Sequence, residues 1–160
     1  MGEWDGLDAY KRYLAGSYDF RRPLEERVAH LATAAGLSWE PTVLHPLLAQ
    51  DQRDLQCPPP EFVATEPATS NDVEGLMGAL YVLEGSSIGA RLLSDRAHKL
   101  GLHGGHGARH LERQHSAVQN WRSFLASLEA TPHLEMERVI ASAIAAFECA
   151  HRAFRRAAAT

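Results

Sequence analysis

The sequence predicts an all-α fold, and three observations carry that expectation. Apolar residues recur at three- and four-residue spacing along nearly the whole chain, as on one face of a helix. Prolines and glycines punctuate these runs where helices start and stop. No stretch shows the strict alternation of a half-buried strand, and there is no internal repeat or low-complexity segment. With 160 residues, 45% hydrophobic and 22% charged, the chain suits a single domain, 1–160, with a sizeable core.

Asp8 to Ser17 reads as a short first helix. RRPLEERVAHLATAAG, residues 21–36, starts a second, with Pro23 suited to a first turn and Gly36 to a stop. PTVLHPLLAQDQRDL, residues 41–55, is a third, with Pro46 near its beginning. CPPPEFVATEPAT, residues 57–69, carries four prolines and predicts an extended connection. Asn71 and Glu74 form a capping pair for a helix that buries Leu76, Leu80 and Leu83 and runs, bent, to about Leu100. GLHGGHG, residues 101–107, breaks it. Leu111, Val118, Trp121, Leu125 and Leu128 mark one further helix. Thr131 and Pro132 suit the cap and first turn of the last, which carries Met136, Ile140, Ala143, Phe147, Ala150 and Phe154 on one face.

Within LEGSSIGARLL, residues 83–93, Gly85 and Gly89 stand one turn apart in a helical pattern. Each costs roughly 0.8–1 kcal/mol relative to Ala, so something is gained in return. Two gains are open: close approach of another helix, or a kinked helix whose bare backbone lies against a flat ligand.

Charge and cysteine content narrow the function classes. A net charge of −4 and a pI near 6.1 give no electrostatic reason to expect nucleic acid or an anionic membrane as partner. Arg152, Arg155 and Arg156 near the C-terminus match the macrodipole preference of a helix end. Cys57 and Cys149 are too few for a disulfide scaffold, and the chain starts without a basic-then-apolar leader pattern. A reducing cytoplasm is the expected compartment.

Few side-chain clusters point to chemistry. His103, His106, His110 and His115 lie close together, but no acidic or cysteine partner has ligand spacing and the glycines among them read as a loop. Cys149 and His151 are two apart and point in different directions on a helix, so a buried structural thiol is the better reading. Glu25 and Glu26 suit a helix first turn. Glu84, in apolar surroundings, reads as a paired buried carboxylate holding the kink.

Together the motifs are more specific. GALYVLEGSSIGARLLSDRAHKLGL, residues 78–102, resembles the distal helix of bacterial biliverdin-producing heme oxygenases. YKRYLAGSYDFRRPLEERV, residues 10–28, looks like that family's second helix, and NWRSFLASLEA and AIAAFECAHRAF resemble its last two long helices. The resemblance implies an all-α fold in which Gly85, Ser86 and Gly89 form the distal side of a heme pocket. It also implies a reaction with O₂ and electrons that gives biliverdin, carbon monoxide and iron. Ser86 stands where some relatives have Asp.

One departure weighs against activity. Counting back from Pro23 places the family's proximal His before Met1, and none of the nine histidines matches it, His30 and His45 included. Lys99 and Arg91 are candidate propionate contacts that also suit a solvated face.

Three functional readings follow: a heme oxygenase whose N-terminal helix is absent from this sequence, a degenerate relative acting as a binding or regulatory protein, and another enzyme on the same scaffold, such as a thiaminase-like hydrolase. The second is favoured. It carries no catalytic residue, no metal ligand and no cofactor, with heme as cofactor under the first. An uncovered groove then predicts a homodimer with Trp4, Leu7, Tyr10 and the bare side of the bent helix near the contact, or a partner protein's amphipathic helix.

Overall fold

The computed structural model describes residues 4–61 and 69–160. Among the described residues the regular structure is helical: α1 (Leu7–Ala35), α2 (His45–Asp54), α3 (Val73–Gly85), a 3-10 turn (Ser86–Gly89), α4 (Ala90–Lys99), α5 (Arg109–Ser116), α6 (Gln119–Ala130) and α7 (Met136–Ala158). None of the described helices is long and apolar enough to cross a membrane.

The two helices expected over 8–36 are one. Pro23 lies inside α1, where it removes a backbone donor that would otherwise bond to Asp19. Burial on both sides of the proline holds the helix together: Tyr10, Leu14 and Ser17 before it, and Leu24, Val28 and Leu31 after it, are all buried. Arg21 pairs with Glu25 across the same turn at 2.9 Å. Gly36 ends α1 as expected, at φ 66°, with its N–H and that of Leu37 returning to Thr33 and Ala32.

Pro46 opens α2 as expected. The long proline-rich connection falls partly outside the described residues, since 62–68 are among those not described. The cap of α3 is Asp72 rather than Asn71: its carboxylate accepts from the Gly75 N–H at 2.9 Å and from the Ser70 hydroxyl at 2.7 Å. The single helix expected around Trp121 is broken into α5 and α6 at Ala117–Val118, and Val118 is half exposed. The last helix begins at Met136, and Thr131 instead closes α6, its hydroxyl donating to the Ser127 carbonyl at 2.6 Å.

Helix α7 turns only part of the expected face inward: Ala143 is buried and Ala150 and Phe154 pack against the core, whereas Met136, Ile140 and Phe147 do not. Val139, Ser142, Ala143, Ala146, Cys149 and Ala153 are buried, while Met136, Ile140, Ile144 and Phe147 are about half exposed. Close approach explains the choice. A Cβ on Gly78 of α3 would lie 2.5 Å from the Ser142 Cβ, and one on Gly16 of α1 would lie 3.1 Å from the Phe154 Cα. At Gly78 this leaves room only for small residues, Ser142 and Ala143, while at Gly16 the missing side chain admits the Phe154 ring.

Two apolar clusters result, both using α1. One joins its second half to α3, α6 and α7; the other joins its first half to α2, α4 and α5. Trp4 and Tyr10, expected at an intermolecular contact, pack within the chain: Tyr10 is fully buried and the two rings lie 4.7 Å apart. Leu7 alone of the three is exposed.

Candidate functional site

Carboxylates from one helix satisfy the N-terminal amides of the next, and this fixes the elements around the site. Glu25 of α1 accepts from the backbone N–H groups of Leu44 and His45 and sits 2.7 Å from His45 Nδ1, so it caps α2 from outside. Burial would raise its pKa, but His45 and the Arg21 guanidinium together hold it below the ordinary value. Asp51 of α2 does the same for α5, accepting from the N–H groups of Arg109 and His110 at 3.0 and 3.1 Å. Arg109 also pairs with Asp54.

Glu84, 1% exposed, accepts from the Thr42 N–H at 2.7 Å and the Thr42 hydroxyl at 2.8 Å. It ties the segment before α2 to the end of α3, the holding role expected of it. Burial pushes its carboxyl above the ordinary range, opposed in part by the Thr42 bonds.

Beyond Glu84 the α-helical ladder tightens into the 3-10 turn. The Ser86 and Ser87 hydroxyls each donate to a carbonyl three residues back, Leu83 and Glu84, at 2.7 Å. Such back-bonding draws carbonyls out of the i→i−4 ladder and bends a helix. The expected interruption is therefore present, and serines help to make it.

Under this turn lies a cavity of about 520 Å³, a volume in the range of small-molecule sites. Its wall is largely apolar: Phe20, Val82, Leu93, Trp121, Phe147 and Phe154 contribute, with Gly85 and Ala150. Exposed Tyr81, Ile88 and Phe147 form the rim, and buried Arg21 and His110 the floor.

Gly85 and Ser86 line this cavity; Gly89 does not. A Cβ on Gly85 would stand 3.3 Å from the Trp121 ring, whereas one on Gly89 would meet nothing within 4 Å. Gly85 therefore serves both gains that the sequence left open, since it admits a neighbouring ring and bares backbone to the cavity. Gly89 serves neither.

Apart from Ser86, the polar floor went unread in the sequence. Ser86 Oγ accepts from Arg21 Nη2 and from Gln114 Nε2, both at 2.6 Å, so one hydroxyl joins α1, α5 and the 3-10 turn. Beside it Tyr13 Oη lies 3.0 Å from His110 Nε2, and His110 Nδ1 lies 2.7 Å from Asp51 Oδ2. Burial holds His110 below the ordinary imidazole range despite Asp51, so the neutral ring donates from Nδ1 and accepts the Tyr13 proton at Nε2. Burial likewise pushes the Tyr13 phenol up to about 12. Sequence spacing cannot pair Tyr13 with His110, which are 97 residues apart.

Other sequence candidates lie elsewhere. His106 sits in a turn before α5, so it shares no helix face with His110, and no group of three potential ligands is found among the described residues. His30 is exposed, and His45 is held by Glu25. Arg91 and Lys99 are exposed and outside the cavity lining. Cys149 is buried in the core, with Arg152 Nη2 3.1 Å from its sulfur.

The volume and apolar wall suit an aromatic ligand, while the described lining residues offer few donors for a heme iron. Among the described lining residues only Tyr13, Tyr81 and His110 carry iron-ligating group types. Both nitrogens of His110 are committed, the Tyr13 phenol is held protonated, and Tyr81 sits at the rim with its ring tilted against Trp121 and edge-on to Phe124 and Phe147.

Comparison with known proteins gives two matches of note. The heme oxygenase PigA of Pseudomonas aeruginosa is 32% identical over 145 residues, covering 84% of this chain and 69% of that protein. The crystal structures of the NO- and CO-bound heme oxygenase from Neisseria meningitidis include a chain that superposes with a TM-score of 0.76 at 28% identity, covering 96% of this chain and 78% of that one. No family model matches.

Proposed function

The chain belongs to the heme oxygenase family, and from that premise we propose that it binds a tetrapyrrole in the cavity beneath the 3-10 turn and acts as a binding or regulatory protein without turning heme over. The observation that carries this reading is the state of His110. It is the one imidazole in the described lining, and its two nitrogens face Asp51 and Tyr13 at hydrogen-bond distance. Freeing Nε2 for a metal would break a buried hydrogen bond and strand the Tyr13 hydroxyl, a cost of about 1–3 kcal/mol before any metal bond forms.

The cavity is otherwise well suited to such a ligand. Trp121, Phe20 and Phe154 offer flat apolar surface, and Gly85 removes a side chain that would project from the helix above. The exposed rim leaves room for ionised acid groups to stay in water.

Kinship with the Pseudomonas heme oxygenase favours a second reading, cleavage of heme to biliverdin, carbon monoxide and iron. It requires an iron donor other than the described lining residues. One experiment separates the two: hemin is added to the purified chain, the absorption spectrum recorded, and a reductant and O₂ supplied. Binding without a sharp six-coordinate histidine-type Soret band and without biliverdin is the expected result. Stoichiometric biliverdin would overturn the first reading.

A further inference from the structure

From the floor of the cavity we infer that this chain selects a ring-opened, metal-free tetrapyrrole over a closed macrocycle, by donating from Arg21 to a neutral terminal carbonyl of the ligand. The inference rests on the tetrapyrrole reading above and adds to it which form is bound.

Arg21 is 6% exposed and lines the cavity. It donates from Nη1 to Glu25, and from Nη2 to Ser86 and, at 3.4 Å, to the Leu83 carbonyl. A guanidinium has five N–H donors, so these three bonds leave two on a side chain that lines the cavity. Ser86 has none to spare: its hydroxyl accepts two bonds and donates one. Gln114 spends one of its two amide N–H donors on Ser86 and brings no charge. Among the described lining residues the cavity therefore offers a ligand one charged donor, Arg21, and an imidazole whose two nitrogens are both hydrogen-bonded.

Charge decides which acceptor fits. The Arg21 charge is already balanced by Glu25 at 2.9 Å, and neighbouring His110 and Tyr13 are neutral. A carboxylate brought to this floor would add an uncompensated buried charge, which costs several kcal/mol. A neutral carbonyl adds none and still gains a charge-assisted hydrogen bond. A closed porphyrin carries carboxylates at its edge but no carbonyl there. A ring-opened bilin carries a lactam carbonyl at each end and needs no axial donor. It can place one lactam on Arg21 while its acid groups stay at the exposed rim beside Tyr81 and Ile88.

The test titrates the purified chain with biliverdin and with metal-free protoporphyrin IX, which share acid groups and lack iron, and follows quenching of tryptophan emission, since Trp121 is in the wall. Biliverdin is expected to bind about tenfold more tightly, the equivalent of one charge-assisted hydrogen bond. Arg21→Lys keeps the partner of Glu25 but loses the planar fork, and is expected to remove most of that difference while changing protoporphyrin affinity less than about twofold. Equal affinities, or equal weakening of both ligands, would overturn the selectivity and leave the tetrapyrrole reading standing. Failure of both ligands to bind would overturn that reading and this inference with it. Should Arg21→Lys not fold, the infrared spectrum of biliverdin on the unaltered chain decides: a lactam carbonyl stretch moved to lower frequency supports the bond, and an unmoved one overturns it.

Discussion

At the floor of the cavity each polar side chain answers another across the fold, whereas at its rim large apolar side chains stand half in water with small residues beneath them. Asp51, fully buried, meets two amides and an imidazole; Phe147 and Ile88 are 53% and 65% exposed. The floor fixes helix positions and the rim does not, so the two should respond oppositely to substitution. The floor therefore both holds helices and carries Arg21, the charged donor that faces a ligand, whereas the rim holds no helix in place.

The largest effect is expected at Asp51. Asp51→Ala leaves the Arg109 and His110 amides and the His110 ring without their acceptor in a buried site, and removes the anion at the start of α5. Breaking a buried charged contact of this kind costs about 3–5 kcal/mol. Urea unfolding would show it as a lower midpoint, and a loss under about 1 kcal/mol would mean that the floor is not what holds α5.

Glu25 sharpens the comparison through pH. Its folded pKa is depressed, so its contribution is fully present above the unfolded value and is lost as pH falls through the folded one. Stability should therefore decline from about pH 5 downward. Glu25→Gln should cost about 2 kcal/mol at neutral pH, by loss of charge toward Arg21 and His45, and flatten that acid decline. Unfolding curves at stepped pH check both; an unchanged acid slope would remove Glu25 from the account.

These two carboxylates also mark where sequence reading stops. The helical periodicity, the Gly36 stop, the interruption after Gly85 and the holding role of Glu84 follow from local pattern, and local pattern is what a sequence displays. Glu25 was read as a first-turn residue because Pro23 usually starts helices; tertiary burial on both sides of the proline overrode that preference. The inward face of α7 was misread at Met136, Ile140 and Phe147 because both of its stripes are apolar. Only the close approach at Gly78, a glycine on another helix, selects the small residues there. Arg21, Tyr13 and His110 were illegible as a site because their partners come from elements far apart in the chain.

The paired glycines offer a smaller test. Gly89 has a right-handed backbone, with φ −89° and ψ −3°, and open space where a Cβ would go. Gly89→Ala should stabilise the chain by about 0.4–1 kcal/mol, chiefly by restricting the unfolded chain. At Gly85 the same gain is opposed by the Trp121 ring 3.3 Å away, so Gly85→Ala should leave stability within about 0.5 kcal/mol while shifting tryptophan emission. Equal stabilisation by both would show that Gly85 makes no close approach.

The smallest effect on stability is expected at the outer stripe of α7. Ile140 and Ile144 are 53% and 54% exposed, so replacing them removes little buried surface. The pair Ile140→Ser and Ile144→Ser should move the unfolding free energy by less than about 0.5 kcal/mol, as for surface positions in general, although Ser is a poorer helix former than Ile by a small margin. Binding of a hydrophobic dye should fall in the same variant, because an apolar strip open to water has been removed. A loss above about 1 kcal/mol would mean that the stripe is covered in solution. Repeating the measurement at two protein concentrations then locates the cover, since stability contributed by a second copy rises with concentration and stability contributed by the chain itself does not.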